Sequence, residues 1–116
     1  LELEMKIKLR KKPRKFTVGI NTKIVLSDFG KIILKPNEQI SFITENLATH
    51  DVTRKNWGFY ATQSVNSRLK KNFKTAIVIN PSKRVYVMLV ERKYLKEFKK
   101  YCKIENQKVL FWLDQI

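Results

Sequence analysis

Short apolar segments of strand length, separated by turn residues, run through most of the sequence and limit the folds open to it. A membrane helix needs roughly 18 consecutive apolar residues, whereas the longest apolar stretches, such as residues 85–90, are long enough only for a strand. Segments of this kind bounded by Gly, Pro, Asn and Asp are typical of antiparallel sheets with tight turns. The sequence therefore predicts a sheet-rich protein without a membrane span.

The predicted strands form a meander followed by a hairpin. Residues 5–9 alternate apolar and basic side chains, which fits either a strand or a flexible basic arm. A strand at 16–20 precedes a meander of residues 23–26, 31–34 and 39–44, with turns at 27–30 and 35–38 and a loop at 45–51. Next come a strand at 52–61 with a bulge or close backbone approach at Gly58, a hairpin of residues 75–79 and 84–91, and a strand or short helix at 108–113.

Two segments have helical spacing. In residues 92–103 the apolar side chains fall at i, i+1, i+4, i+7 and i+8, and five lysines fill other positions. This stripe consists of Tyr94, Leu95, Phe98, Tyr101 and Cys102. A shorter helix is predicted from Ser64, as its N-cap, through Lys71, because Val65 and Leu69 lie on one face.

This order of elements predicts an α+β fold. It consists mainly of antiparallel sheet, a meander plus a hairpin, with one short helix and one longer C-terminal amphipathic helix. The sequence shows no repeat and no linker, so residues 5–116 are expected to form a single basic domain, in which 5–15 are either a basic arm or an edge strand. Residues 1–4 precede Met5, an expected initiator, and are expected to be an expression remnant.

The chain carries 25 Lys and Arg against 10 Asp and Glu, a net charge of +15. The excess is uneven, because residues 52–103 contain fourteen cations and two acids. Such a field attracts polyanions and accelerates their encounter. An alternative is coding bias, since AT-rich genes favour lysine, and here nineteen of the cations are Lys.

The sequence offers no catalytic or metal-binding signature. The only histidine, His50, lies beside Asp51 in a polar segment and is interpreted as an ordinary surface histidine. Cys102 lies on the apolar stripe and is interpreted as a buried filler, and a single cysteine fits a reducing cytoplasm. We therefore expect a cytoplasmic protein that is not an enzyme and needs no metal or cofactor.

Residues 54–71 are the candidate site, because aromatic residues here stand between cations. Exposed rings would stack on bases or sugars, although the preferred interpretation places these aromatics in the core. The polar turn before the short helix is the better candidate, since a helix N-terminus binds anions. The predicted nucleic-acid or anion contacts are Arg54, Trp57, Tyr60, Thr62, Ser64, Arg68, Lys70 and Lys71. Secondary basic contacts are predicted at Lys11, Lys12, Arg14, Lys96, Lys99 and Lys100.

These features predict a non-catalytic basic protein that binds RNA or single-stranded nucleic acid through phosphate contacts with limited sequence specificity. No helix-turn-helix, zinc finger or RNA-recognition sequence is present to give specificity. The partner is thus nucleic acid or another acidic macromolecule. The alternative is an accessory domain that binds another protein or a sugar-like ligand and has no nucleic-acid role.

Overall fold

The computed structural model describes residues 6–116, so that residues 1–4 and Met5 lie outside the described part of the chain. The described residues form three antiparallel sheets, with strand orders β1-β2, β3-β4-β5 and β7-β6-β8, and one α-helix. The elements are β1 (Lys6–Val18), β2 (Ile24–Ile33), β3 (Gln39–Ile43), β4 (Thr49–Lys55), β5 (Gly58–Ala61), β6 (Phe73–Ile79), β7 (Val85–Glu91), α1 (Leu95–Ile104) and β8 (Lys108–Trp112). This mostly antiparallel architecture fits the expected α+β class, but the short helix is not formed.

β1 and β2 form a long two-stranded ribbon. Their register runs from Lys6↔Ile33 to Val18↔Ile24, with an irregularity between Leu9 and Arg14. The N-terminal segment is therefore a paired strand and not a free arm. The turn predicted at 27–30 is wrong, because these residues lie inside β2. Gly30 permits this continuation, since a Cβ there would lie 2.1 Å from the carbonyl oxygen of Lys8. The chain reverses at residues 19–23 instead.

The ribbon gives the protein an extended shape. The Cα radius of gyration is 16.1 Å, whereas a compact domain of this length has about 13 Å. Most ribbon side chains are exposed, including Leu9 at 74%. No helix among residues 6–116 is long and apolar enough to cross a membrane.

The middle sheet departs from prediction in two places. Residues 49–51 were expected in a loop but begin β4, and the single strand predicted at 52–61 is wrong. The chain instead reverses at Asn56 and Trp57, so that Lys55 pairs with Gly58 and Thr53 with Tyr60. Gly58 follows the reversal with φ +144°, a conformation that other residues rarely adopt. A meander is formed, but by β3, β4 and β5.

The third sheet carries the core. The predicted hairpin of residues 75–79 and 84–91 is confirmed by the β6–β7 pairing, and residues 108–112 form a strand. Ala76 and Val78 in the central strand are fully buried. The amphipathic helix predicted at 92–103 is confirmed in outline, since a 3-10 turn at Arg92–Tyr94 leads into α1.

The helix predicted at 64–71 is replaced by a turn and a 3-10 segment, Leu69–Lys71. Ser64 still stabilises the turn, since its Oγ accepts the Arg68 N–H at 3.3 Å and its carbonyl accepts the Leu69 N–H at 3.0 Å. Leu69, 2% exposed, contributes to a core cluster with Ala48 and Phe73. Asn and Ser at positions 66 and 67 are weak helix formers, so burial of Leu69 decides this local conformation.

Candidate nucleic-acid interface

The β4–β5 reversal presents two aromatic rings on the surface. Trp57 is 72% exposed and Tyr60 is 44% exposed, and their ring centroids lie 6.0 Å apart at an interplanar angle of 34°. Phe59 between them in sequence is also exposed. The interpretation of these aromatics as core residues is therefore wrong. Fully burying a large apolar side chain contributes about 1.5–3 kcal/mol, and the exposed parts of these rings leave a share of that energy available to a ligand.

Arg54 does not accompany the Trp57–Tyr60 pair. Arg54 is paired with Phe59 in the ladder, and its guanidinium carbon lies 5.9 Å from that ring centroid. Its Nη1 donates to the carbonyl of Leu34 at 3.0 Å. Neighbouring residues of a strand point to opposite faces, so Arg54 and Tyr60 lie on different sides of the sheet. Arg54 therefore connects β4 to Leu34, the residue that directly follows β2.

Polar side chains lie on the same face as Tyr60. Thr53 pairs with Tyr60 in the ladder, and the Oγ1 atoms of Thr53 and Thr62 are 2.5 Å apart. Thr53 Oγ1 also donates to Gln39 Oε1 at 3.2 Å. The cation on this side is Lys55, whose Nζ donates to Asn37 Oδ1 at 2.5 Å. Among the predicted contacts, Thr62 lies on the same face as Tyr60. Its hydroxyl contact with Thr53 holds it there.

Lys55, Thr53 and Gln39 were missed by the sequence reasoning. Their proximity depends on the register of three strands, and that register depends on the reversal at Asn56-Trp57. The sequence signal that could have located this reversal is Gly58, which directly follows Asn56 and Trp57, two residues able to form a turn. Treating residues 52–61 as one strand concealed it.

The second half of the predicted site is not built as an anion-binding helix N-terminus. Ser64, Arg68, Lys70 and Lys71 are exposed around a turn whose only regular part has three residues. The Ser64 hydroxyl and carbonyl are already occupied by the turn itself. Lys70 contributes its carbonyl, which accepts a hydrogen bond from Arg92 Nε. What remains there is a set of exposed cations.

The secondary cations lie on two separate elements. Lys11 and Lys12 are exposed in the irregular part of β1, while Arg14 donates from Nε and Nη2 to Asp28 at 3.3 Å. The backbone N–H of Gly30, and then the nearby arginines, hold the pKa of Asp28 below its usual value. Lys96, Lys99 and Lys100 are exposed on α1, on the same side as Lys103. Residues 6–33 carry nine cations and one acid.

The remaining reactive groups are Cys102, Tyr101 and His50, and the Nδ1 atom of His50 is buried without a hydrogen-bond partner among residues 6–116, unlike that of the surface histidine expected from sequence. Burial raises the pKa of the Cys102 thiol, which disfavours the nucleophilic thiolate. His50 is half-buried and stacks on Phe42 with ring centroids 6.4 Å apart. Burial and then the Glu105 charge raise the pKa of Tyr101. Within residues 6–116 no group of three His, Cys, Asp or Glu side chains could hold a metal ion.

No protein-family model, curated protein or solved structure matches this chain. Its function is therefore inferred from the geometry and charge of its own residues.

Proposed function

We propose that this protein is a non-catalytic, basic, cytoplasmic protein that binds RNA or single-stranded nucleic acid. Bases stack on Trp57 and Tyr60, and exposed cations on other elements contact phosphates with limited sequence specificity. The observation that carries the proposal is the exposed Trp57–Tyr60 pair at the tip of the β4–β5 hairpin. Every base has a π-face, so such a pair favours unpaired strands without selecting a sequence.

The charge distribution supports phosphate contacts. The net charge of +15 attracts a polyanion over the whole surface, and the ribbon adds a dense set of exposed cations. Each phosphate neutralised in a single strand contributes a salt slope of about −0.7 to the logarithm of affinity. Each stacked base adds about 1–3 kcal/mol that depends little on salt. The proposal therefore predicts that the affinity has a salt-dependent part from phosphate contacts and a part from stacking that depends little on salt.

Trp57 itself can report the test. The protein is titrated with oligo-uridine and with oligo-thymidine while tryptophan emission is followed. Trp112 is half-buried, and its ring centroid lies 5.8 Å from that of Phe98. It serves as the internal reference for tryptophan emission. Quenching is expected in the wild type and lost in Trp57→Phe, which keeps Trp112. Binding without any change in Trp57 emission, or no binding at low salt, would overturn the proposal.

A second candidate is favoured by the polar groups on the Tyr60 face. Thr53, Thr62 and Gln39 form a hydroxyl and amide cluster beside the ring pair. Aromatic faces next to hydrogen-bonding side chains are also suited to a sugar-like ligand or a protein partner. Binding of a neutral oligosaccharide that quenches Trp57 and does not weaken with salt would favour this alternative. Steep salt dependence with oligonucleotides would favour the first.

A further inference from the structure

One end of the β6–β7 hairpin brings together cations that are distant in sequence. The first rung of this ladder pairs Phe73 with Glu91, so the residues just before one and just after the other meet. The Arg92 N–H donates to the carbonyl of Asn72 at 2.9 Å and extends the pairing. Lys71 therefore lies near the start of the 3-10 turn that follows β7.

A cleft of about 260 Å³ opens at this end of the sheet. Three segments line it: the β3–β4 connection, the residues before β6 and the residues after β7. Its cations are Lys71, Arg92 and Lys93, and its amide side chains are Asn46 and Asn72. This volume holds a phosphate group together with part of the molecule that carries it.

Arg92 is held in place by the protein before any ligand binds. Its Nε donates to the carbonyl of Lys70, and its Nη2 donates to Asp114 at 3.5 Å. Asp114 is buried and also pairs with Lys74 at 3.4 Å. Nη1 has no hydrogen-bond partner among residues 6–116, so the arginine keeps donors for a ligand. A guanidinium fixed in this way loses little conformational entropy when an anion binds.

Glu91, the acid that lines the cleft, is hydrogen-bonded to uncharged side chains and forms no ion pair with these cations among residues 6–116. Glu91 Oε1 accepts hydrogen bonds from Asn46 Nδ2 at 2.8 Å and from Thr44 Oγ1 at 3.3 Å. Lys71 has no ion-pair partner among the described residues, and Lys93 Nζ lies over the Tyr94 ring at 5.5 Å. The residues that line the cleft are three cations and one acid, a formal charge of +2, and Asp114 outside the lining offsets part of the Arg92 charge.

We propose that this cleft is a phosphate-binding site in which Arg92 Nη1, Lys71 Nζ and Lys93 Nζ contact the oxygens. The phosphate comes either from the backbone of a bound strand or from a terminal or free phosphate group, since both present the same charged oxygens. The site adds a localised contact to the function proposed above. It does not depend on that function, because a free phosphate compound would occupy it alone.

The test compares two variants with the same change of charge. Lys71→Ala/Lys93→Ala removes two cations of the cleft, and Lys103→Ala/Lys108→Ala removes two exposed lysines that lie outside it. Inorganic pyrophosphate binding is measured by calorimetry. We expect the first variant to bind about tenfold more weakly, as for two partly exposed charge-assisted contacts. The second should differ less than twofold from wild type. Equal losses in both variants, or no pyrophosphate binding by the wild type, would refute the site.

The source of the phosphate is then identified by fluorescence anisotropy, which compares the affinities of oligonucleotides with and without a 5′-phosphate. A terminal site predicts tighter binding of the phosphorylated strand, and Lys71→Ala/Lys93→Ala should abolish this preference. A backbone site predicts equal weakening of both strands and a salt slope smaller by about 0.7. Trp57 quenching is followed in the same titrations, so failure of the cleft and failure of base stacking give different results.

Discussion

The Glu105 carboxylate accepts a 2.6 Å hydrogen bond from the backbone N–H of Asn21, at the tip of the β1–β2 ribbon. The N–H groups of Ile20 and Thr22 donate to the same carboxylate at 2.9 and 3.3 Å. Asn21 Nδ2 in turn donates to the carbonyl of Ile104, at the end of α1, at 2.6 Å. A two-stranded ribbon is only marginally stable alone, so this contact is expected to fix its position on the body.

Replacing Glu105 with Gln should loosen the ribbon tip. Glutamine keeps the shape but offers one acceptor oxygen and no charge to three N–H donors. We expect a lower thermal midpoint and faster hydrogen exchange at residues 20–22. Glu97→Gln, on the exposed part of α1, is the matched control and should leave both unchanged. If hydrogen exchange at residues 20–22 does not change in Glu105→Gln, the contact between the Glu105 carboxylate and the ribbon tip is not formed in solution.

The same carboxylate predicts an acid-dependent loss of stability. The hydrogen bond from Asn21, and then those from Ile20 and Thr22, lower the pKa of Glu105 below its ordinary value of 4.5. A depressed pKa in the folded state stabilises the protein above the unfolded pKa, and this stabilisation disappears as pH falls through the folded pKa. The thermal midpoint of wild type should therefore fall more steeply below about pH 4.5 than that of Glu105→Gln. Parallel pH profiles of the two proteins would contradict this.

Gly19→Ala should be more damaging than Gly58→Ala, although both glycines have positive φ. A Cβ at position 19 would lie 1.9 Å from the Thr22 carbonyl oxygen, whereas a Cβ at position 58 meets no atom within 4 Å. Gly58→Ala carries only backbone strain of about 1 kcal/mol, while Gly19→Ala adds a clash with main-chain atoms and should exceed 2 kcal/mol. Urea unfolding of the two variants checks the order. Equal losses would show that the tip adjusts freely.

Asp114→Ala should be among the most destabilising polar substitutions. The Asp114 side chain is 4% exposed and pairs with Lys74 and Arg92 at 3.4 and 3.5 Å. Removing the acid leaves the half-buried Lys74 ammonium without its partner, which costs about 3 kcal/mol for a buried pair. Asp51→Ala, whose carboxylate accepts from Ser41 in a more accessible place, serves as the comparison. Chemical denaturation giving similar losses for both would contradict the assigned role.

The elements that were predictable from sequence are those with local and sustained patterns. The stripe in residues 92–103 and the β6–β7 hairpin are examples, since period and turn residues fix them without knowledge of distant partners. The β1–β2 ribbon could not be predicted from the sequence. Its turn is stabilised by Glu105, more than eighty residues away in sequence, and residues 27–30 resemble a turn while lying inside a strand. Long-range contacts overrode local turn propensity there.

The candidate site was only half predictable for the same kind of reason. Trp57 and Tyr60 were identified from residue type, but their exposure follows from a reversal that a ten-residue strand pattern hides. The Arg92–Lys71 cleft was beyond sequence reasoning, because only the β6–β7 register brings these residues together. Local chemistry can be read from sequence, whereas convergence of distant segments cannot.

The ribbon cations give a last prediction about how nucleic acid is held. Lys11 and Lys12 are exposed in the irregular part of β1, whereas Arg14 is engaged by Asp28 at 3.3 Å. Lys11→Gln/Lys12→Gln should therefore reduce the salt slope of oligonucleotide binding by about 1.4, while Arg14→Gln changes it less. Neither variant should alter Trp57 quenching at saturation, because stacking and phosphate contacts lie on different elements. If the double variant binds with the wild-type slope, the ribbon does not contact phosphates and its charge has another cause, such as lysine-rich coding bias.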